Sequence, residues 1–188
     1  WVGLRFQSAP GSKPNTIVLH THMRDPTNLL QQEALGILGI NVIYGAFYLQ
    51  KDLGDFLPAL LDDLSLERIE VDYLSPEGPT FATCESGQVN LELLQVPLCS
   101  AILFEPAGLP IAPIDALYKR PVVIERGGFL ESESVYEDLL SVATEELKKE
   151  IGHGKRTPIG VPEITLSNLP TAEMLAAEEV LRRVAGLN

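Results

Sequence analysis

The sequence predicts an α/β fold: a mainly parallel, doubly wound (Rossmann-like) sheet with helices on both faces, spread over residues 1–188 as a single domain. Three observations predict it. Short apolar runs without alternation, such as SAILF at 100–104 and PVVIE at 121–125, read as strands buried on both faces. Segments of helical period separate those runs, which is the pattern of βα units. Charged or polar residues then follow strand after strand, as they do where the carboxyl ends of parallel strands line a crevice. A piece of a (β/α)8 barrel is the second choice, because the βα units here fall short of eight.

The elements follow in order. Trp1 to Gln7 alternates and reads as an edge or antiparallel strand. Residues 9–14, Ala-Pro-Gly-Ser-Lys-Pro, form a loop by composition. Thr16 to Met23 is the second strand, with Ile17, Leu19, Thr21 and Met23 on one face and Val18, His20 and His22 on the other. Asp25 has the character of an N-cap, with Pro26 at the first helical position, where its missing N–H costs nothing. The helix it starts runs to about Leu49 and is apolar on most sides after Ala34, which predicts extensive burial. Gly36, Gly39 and Gly45 lower helix propensity by about 1 kcal/mol each relative to Ala, so a close backbone approach is expected at them.

Residues 51–64 form a short acidic helical segment interrupted by Pro58, and Arg68 to Leu74 is a strand closed by the turn Ser75-Pro76-Glu77-Gly78-Pro79. Gln88 to Val96 is a helix, and Ser100 to Phe104 a strand that ends at Glu105. A Pro-rich connector at 110–119 precedes the strand Pro121 to Glu125, which runs into Arg126-Gly127-Gly128. Val135 to Ile151 is an amphipathic helix with Glu145 and Lys149 at i,i+4. The basic loop Gly152-His153-Gly154-Lys155-Arg156, a strand from Glu163 to Ser167 ending at Asn168, and a helix from Thr171 complete the chain.

With 45% hydrophobic and 21% charged residues, the composition is that of a globular protein, long enough to bury roughly 70% of its unfolded surface. The net charge of −12 argues against nucleic acid and against anionic membranes as partners. Cys84 and Cys99 stand in no metal-ligand or disulfide spacing and read as reduced thiols of a cytoplasmic protein. The apolar run from Ala34 to Leu49 is too short to span a bilayer. A chain that opens on Trp1 inside a strand-like run is expected to be a domain of a longer protein.

The strand-end residues are the candidate site. His20, His22, Asp72, Glu105 and Glu125 carry acid–base capacity, and Asp72, Glu105 and Glu125 are the candidate magnesium ligands. Arg24, Asp25, Thr27 and Asn28, at a strand end and helix start, are candidate anion contacts, as are Arg126, Gly127 and Gly128. His20 and His22 form a metal pair only with a third ligand such as Asp72 or Glu105. No Walker A loop, GxGxxG, GxSxG or HExxH is present.

Four blocks, residues 20–49, RIEVDYL with GPTF, LYKRPVVIERGGF and EITLSNL, resemble a bacterial family of longer proteins whose members carry the label nicotinate-nucleotide adenylyltransferase-like. The resemblance covers about residues 1–170 and implies an intracellular bacterial protein of which this chain is one domain. The GxFxPxHxGH-type phosphate loop of enzymes with that activity has His20-Thr21-His22 as its nearest counterpart, without the glycines, so the resemblance assigns no catalytic residue.

Two functions fit these observations. One is binding of a phosphorylated or carboxylated metabolite, such as a nucleotide, at the strand ends, with nucleotidyl or phosphoryl transfer as the reaction. The other is a non-catalytic interaction or regulatory domain whose acidic helices, 52–63 and 131–150, face a protein partner or a second copy of the chain. A metal-dependent hydrolase built on His20 and His22 is a third, weaker option.

Overall fold

A computed structural model describes residues 1–127, 134–152, 156–166 and 177–186. Where the sequence predicts one domain, the packing divides the chain into two compact units: Trp1–Glu105 with Leu109–Ala112, and Pro106–Gly108 with Pro113–Asn188. Helix and strand are mixed as expected, but the described strands form three small sheets, and three of their four pairings are antiparallel.

The first unit is built on a three-stranded antiparallel sheet in the order β1 (Val2–Phe6), β2 (Asn15–Met23), β3 (Ile69–Glu77). The loop at 7–14 is shorter than the dozen or so residues a parallel crossover needs, so β1 and β2 must run in opposite directions. Between β2 and β3 the chain leaves and returns at one end of the sheet: Met23 pairs with Ile69, and the Arg24 N–H donates to Arg68 O at 2.9 Å. The end of β2 therefore meets the start of β3, which corrects the expected alignment of carboxyl ends.

Register also shifts between the two strands. His20 opposes Tyr73, but Thr21 opposes Val71, so Asp72 is an extra residue on β3. This is a β-bulge. It turns Ile69, Val71 and Leu74 to the core, beside Ile17 and Leu19. Glu70, Asp72 and Tyr73 are the residues it leaves for the other face, where β2 carries His20 and His22.

The core face is covered by three helices. From α1 (Asn28–Tyr44) come Ala34, Leu38 and Val42; from α2 (Leu53–Ala59), Phe56 and Leu57; and from α3 (Ser86–Gln95), Val89 and Leu93. The α1 N-cap is Thr27, not Asp25: Thr27 is extended, and its hydroxyl accepts from the Leu30 N–H at 3.4 Å. Asp25 is drawn off by Arg68, whose Nε donates to Oδ2 at 3.0 Å. After Tyr44 the helix widens into a π-helical turn, Gly45–Leu49. Gly45 is where close approach is needed: a Cβ there would lie 2.6 Å from two Phe56 ring carbons. Gly36 and Gly39 make no such approach, and the helix is buried along one side only, contrary to the extensive burial expected.

Asn90 on α3 is fully buried and acts as a piece of strand. Its Oδ1 accepts from the Leu74 N–H at 3.0 Å, and its Nδ2 donates to Leu74 O at 2.7 Å and Ser86 O at 2.8 Å. The expected strand at 100–104 shortens to β4 (Leu103–Phe104), which pairs with β5 (Pro110–Ile111).

The second unit contains α4 (Pro113–Leu117), β6 (Val122–Gly127), α5 (Ser134–Ile151), β7 (Ile159–Ile164) and α6 (Ala177–Gly186). Strands β6 and β7 are parallel with α5 between them, and this is the one place where the described residues show the predicted βαβ arrangement. On α5 the ion pairs are Glu145–Lys148 and Glu146–Lys149, at i,i+3, in place of the expected Glu145–Lys149 pair. Gly128, His153, Gly154, Lys155, Asn168 and the helix start at Thr171 lie outside the described residues. No helix among the described residues is long and apolar enough to cross a membrane.

Candidate functional site

The bulge builds the site. Because Asp72 is inserted opposite His20, its carboxylate reaches the imidazole: Asp72 Oδ1 lies 2.6 Å from His20 Nδ1. Both side chains are nearly buried, 12% and 11% exposed, so the bond is shielded from competing water. A carboxylate beside Nδ1 fixes the neutral ring as the Nδ1–H tautomer, which leaves Nε2 as an acceptor. Nε2 has no hydrogen-bond partner among the described residues. The Trp1 ring packs edge-on against His20 at 5.1 Å and against Tyr73 at 5.7 Å between centroids, which limits how the imidazole can turn.

One residue pair further along, His22 opposes Glu70 and is exposed. Glu70 is buried, accepts from the Ser100 hydroxyl at 2.5 Å and faces Arg24 Nη2 at 3.6 Å. Arg24 also donates from Nη1 to Leu66 O at 3.0 Å, while its side chain stays 43% exposed. The segment bearing Ser100 is tied to β3 by a bond from the Val71 N–H to Leu98 O at 2.8 Å.

Cys99 lies in the same surroundings. Burial above all, and then the charges of Asp72 and Glu70, push its thiol from an ordinary 9.0 up to about 12. A raised value in the folded chain means that the unfolded chain loses this proton first. The contribution of Cys99 to stability is therefore whole below about pH 9 and is lost as pH rises toward about 12. Burial raises Cys84 as well, but that thiol is only partly buried. Native protein treated with iodoacetamide at neutral pH is expected to be modified at Cys84 while Cys99 reacts only after unfolding, as read by peptide mass spectrometry.

Of the residues picked from the sequence, His20, His22, Asp72 and Arg24 therefore share one face or edge of one sheet. They do so through antiparallel register and not through parallel strand ends. Asp25 is committed to Arg68, the Thr27 hydroxyl to its capping role, and Asn28 begins the helix; no contact joins these three to the His20–Asp72 pair among the described residues. Glu105 sits in the β4–β5 hairpin, where its N–H donates to Leu109 O. Glu125, Arg126 and Gly127 are the last three residues of β6, in the second unit. There Arg126 pairs with Glu163 at 2.8 Å, and Glu125 Oε2 is buried without a hydrogen-bond partner among the described residues. The single crevice expected from one parallel sheet is thus absent from the described strands. Of the three candidate magnesium ligands, Asp72 and Glu105 belong to the first unit and Glu125 to the second, and no group of three or more His, Cys, Asp or Glu among the described residues is placed to hold a metal ion.

Sequence reasoning missed Glu70, Ser100 and Trp1. A signal for Glu70 was present: Ile69, Val71 and Leu74 step by two and then three, which marks a bulge and puts Glu70 and Asp72 on one side. Comparison of the chain with protein-family models, with curated proteins and with solved structures gives no match.

Proposed function

We propose that the polar face of the three-stranded sheet is a proton-transfer site for a small metabolite bearing a carboxylate or phosphate. His20 is its acid–base residue, Asp72 the positioning residue and Arg24 the anion contact. The observation that carries the reading is the shielded 2.6 Å bond from Asp72 to His20 Nδ1, with Nε2 left unpartnered among the described residues. An imidazole held this way takes a proton at Nε2 while the carboxylate balances the charge that forms. Arg24 faces the Glu70 carboxylate at 3.6 Å and keeps 43% of its side chain exposed, so part of the guanidinium is open to an anion.

A nucleotide belongs to this ligand class, and nucleotidyl or phosphoryl transfer is a reaction that such an acid–base residue assists by moving the proton of the attacking or leaving oxygen. The resemblance to bacterial proteins labelled adenylyltransferase-like supports that choice, together with a bacterial cytoplasmic setting. The Rossmann-like reading narrows in this proposal to the parallel β6–α5–β7 unit.

The test has two arms. Nitrogen-15 spectra of the histidines are expected to show His20 as the Nδ1–H tautomer and to lose that preference in Asp72→Asn. Titration with inorganic phosphate, AMP and citrate is expected to give binding that Arg24→Ala weakens about tenfold or more, as for the loss of one charge-assisted bond. The same change also removes the bond to Leu66 O and the counterion of buried Glu70, which keeps the Ser100 hydroxyl, so a modest fall in melting temperature is expected alongside the loss of binding. Equal affinities for all three probes before and after the change would overturn the proposal.

A further inference from the structure

The side of α1 turned away from the core carries a second kind of information. Leu29, Glu33, Gly36, Ile40 and Ile43 succeed one another in steps of four, three, four and three residues, the spacing of a coiled-coil seam. The seam lies opposite the buried Ala34, Leu38 and Val42. Leu29 is 75% exposed, Ile40 69% and Ile43 52%, with Tyr44 and Tyr48 stacked alongside at 5.0 Å. Residues 34–50 include no charged side chain. The one charge on the seam, Glu33, is answered within the chain by Arg68 at 3.6 Å.

We infer that this face binds a second copy of the same chain, α1 against α1, antiparallel about a two-fold axis. Four features select that occupant. Leu29, Ile40, Ile43, Tyr44, Phe47 and Tyr48 leave roughly 800 Å² in solvent, about what each partner contributes to a stable interface. The seam is self-complementary: about a two-fold axis Ile40 pairs with Ile43 of the second copy and Ile43 with its Ile40, and Gly36 nearby lets the backbones approach. A Cβ on Gly36 or Gly39 would meet nothing within 4 Å, so packing inside the chain gives no reason for either glycine, whereas close helix–helix contact does. At a net charge of −12, a neutral stripe is also where two copies repel each other least.

Sedimentation equilibrium of the 188-residue chain, from low to several hundred micromolar, is the test. A concentration-dependent dimer is expected, and Ile40→Asp should weaken it by roughly 100-fold or more, because each dimer then buries two unpaired carboxylates. The site is exposed in the monomer, so the circular dichroism of the variant should match the parent. Spin labels at Ile40→Cys and Ile43→Cys, introduced in separate chains in a background with Cys84 and Cys99 changed to Ser, should lie close to each other in the mixed dimer. A chain that stays monomeric throughout, a dimer indifferent to Ile40→Asp, or labels far apart would each overturn the inference.

Discussion

Asn90→Leu is expected to lower the free energy of unfolding by about 3 kcal/mol or more, read as a fall in the urea midpoint at unchanged slope. The side chain is fully buried and makes three hydrogen bonds, two of them to the N–H and C=O of Leu74. Leucine has the same branching and number of heavy atoms but is bulkier and answers neither group. Each backbone group left unpaired in the core costs about 1–3 kcal/mol, and the added apolar contact offsets only part of that. Asn90→Asp separates the two roles, because it keeps an acceptor for the Leu74 N–H and loses the donor to Leu74 O. A result within about 0.5 kcal/mol of the parent for Asn90→Leu, the range of ordinary surface changes, would show that α3 does not hold β3 through this amide.

Phe56→Ala should be at least as damaging, at about 3–5 kcal/mol. The ring is fully buried among the residues that join α1 and α2 to the sheet, and it lies over Gly45. The same contact makes the reverse change informative. Gly45→Ala drives a Cβ to 2.6 Å from the ring and should cost about 1–3 kcal/mol by overpacking. In the Phe56→Ala background the clash is gone, so Gly45→Ala should become neutral or stabilising. A double-mutant cycle by chemical denaturation measures this, and strict additivity would disprove the contact.

Much of the first unit was legible one element at a time. The period of residues 28–44 and 86–95 marks helices, and the split of β2 into Ile17, Leu19, Thr21 and Met23 against Val18, His20 and His22 survives in the fold. The antiparallel option for β1 holds, whereas the parallel direction expected of β2 and β3 runs against two signs in the sequence. Both β1 and β2 alternate, as antiparallel strands with one core face do, and the loop between them is too short for a crossover. The continuous apolar runs further along, which do belong to a parallel pair in β6 and β7, were extended to the whole chain.

The site was half legible for a related reason. His20 and Asp72 were chosen as strand-end residues, yet what joins them is a register shift in mid-strand, and register depends on a partner strand some fifty residues away. Ser100 belongs to no regular element, so periodicity has nothing to say about it. The apolarity of α1 was read as burial in this chain's own core. A helix with one side on the core and the other bare has the same composition, and only the three-dimensional arrangement separates the two cases.

Asp72 finally bears on how such a site arises. Strike it out, and Ile-Glu-Val-Tyr-Leu remains, a faultless in-and-out rhythm in step with β2. Asp72 is thus the one residue of β3 that the in-and-out alternation of this sheet does not require. A chain without it would keep the core side of β3 in register with β2 and lose only the carboxylate beside His20.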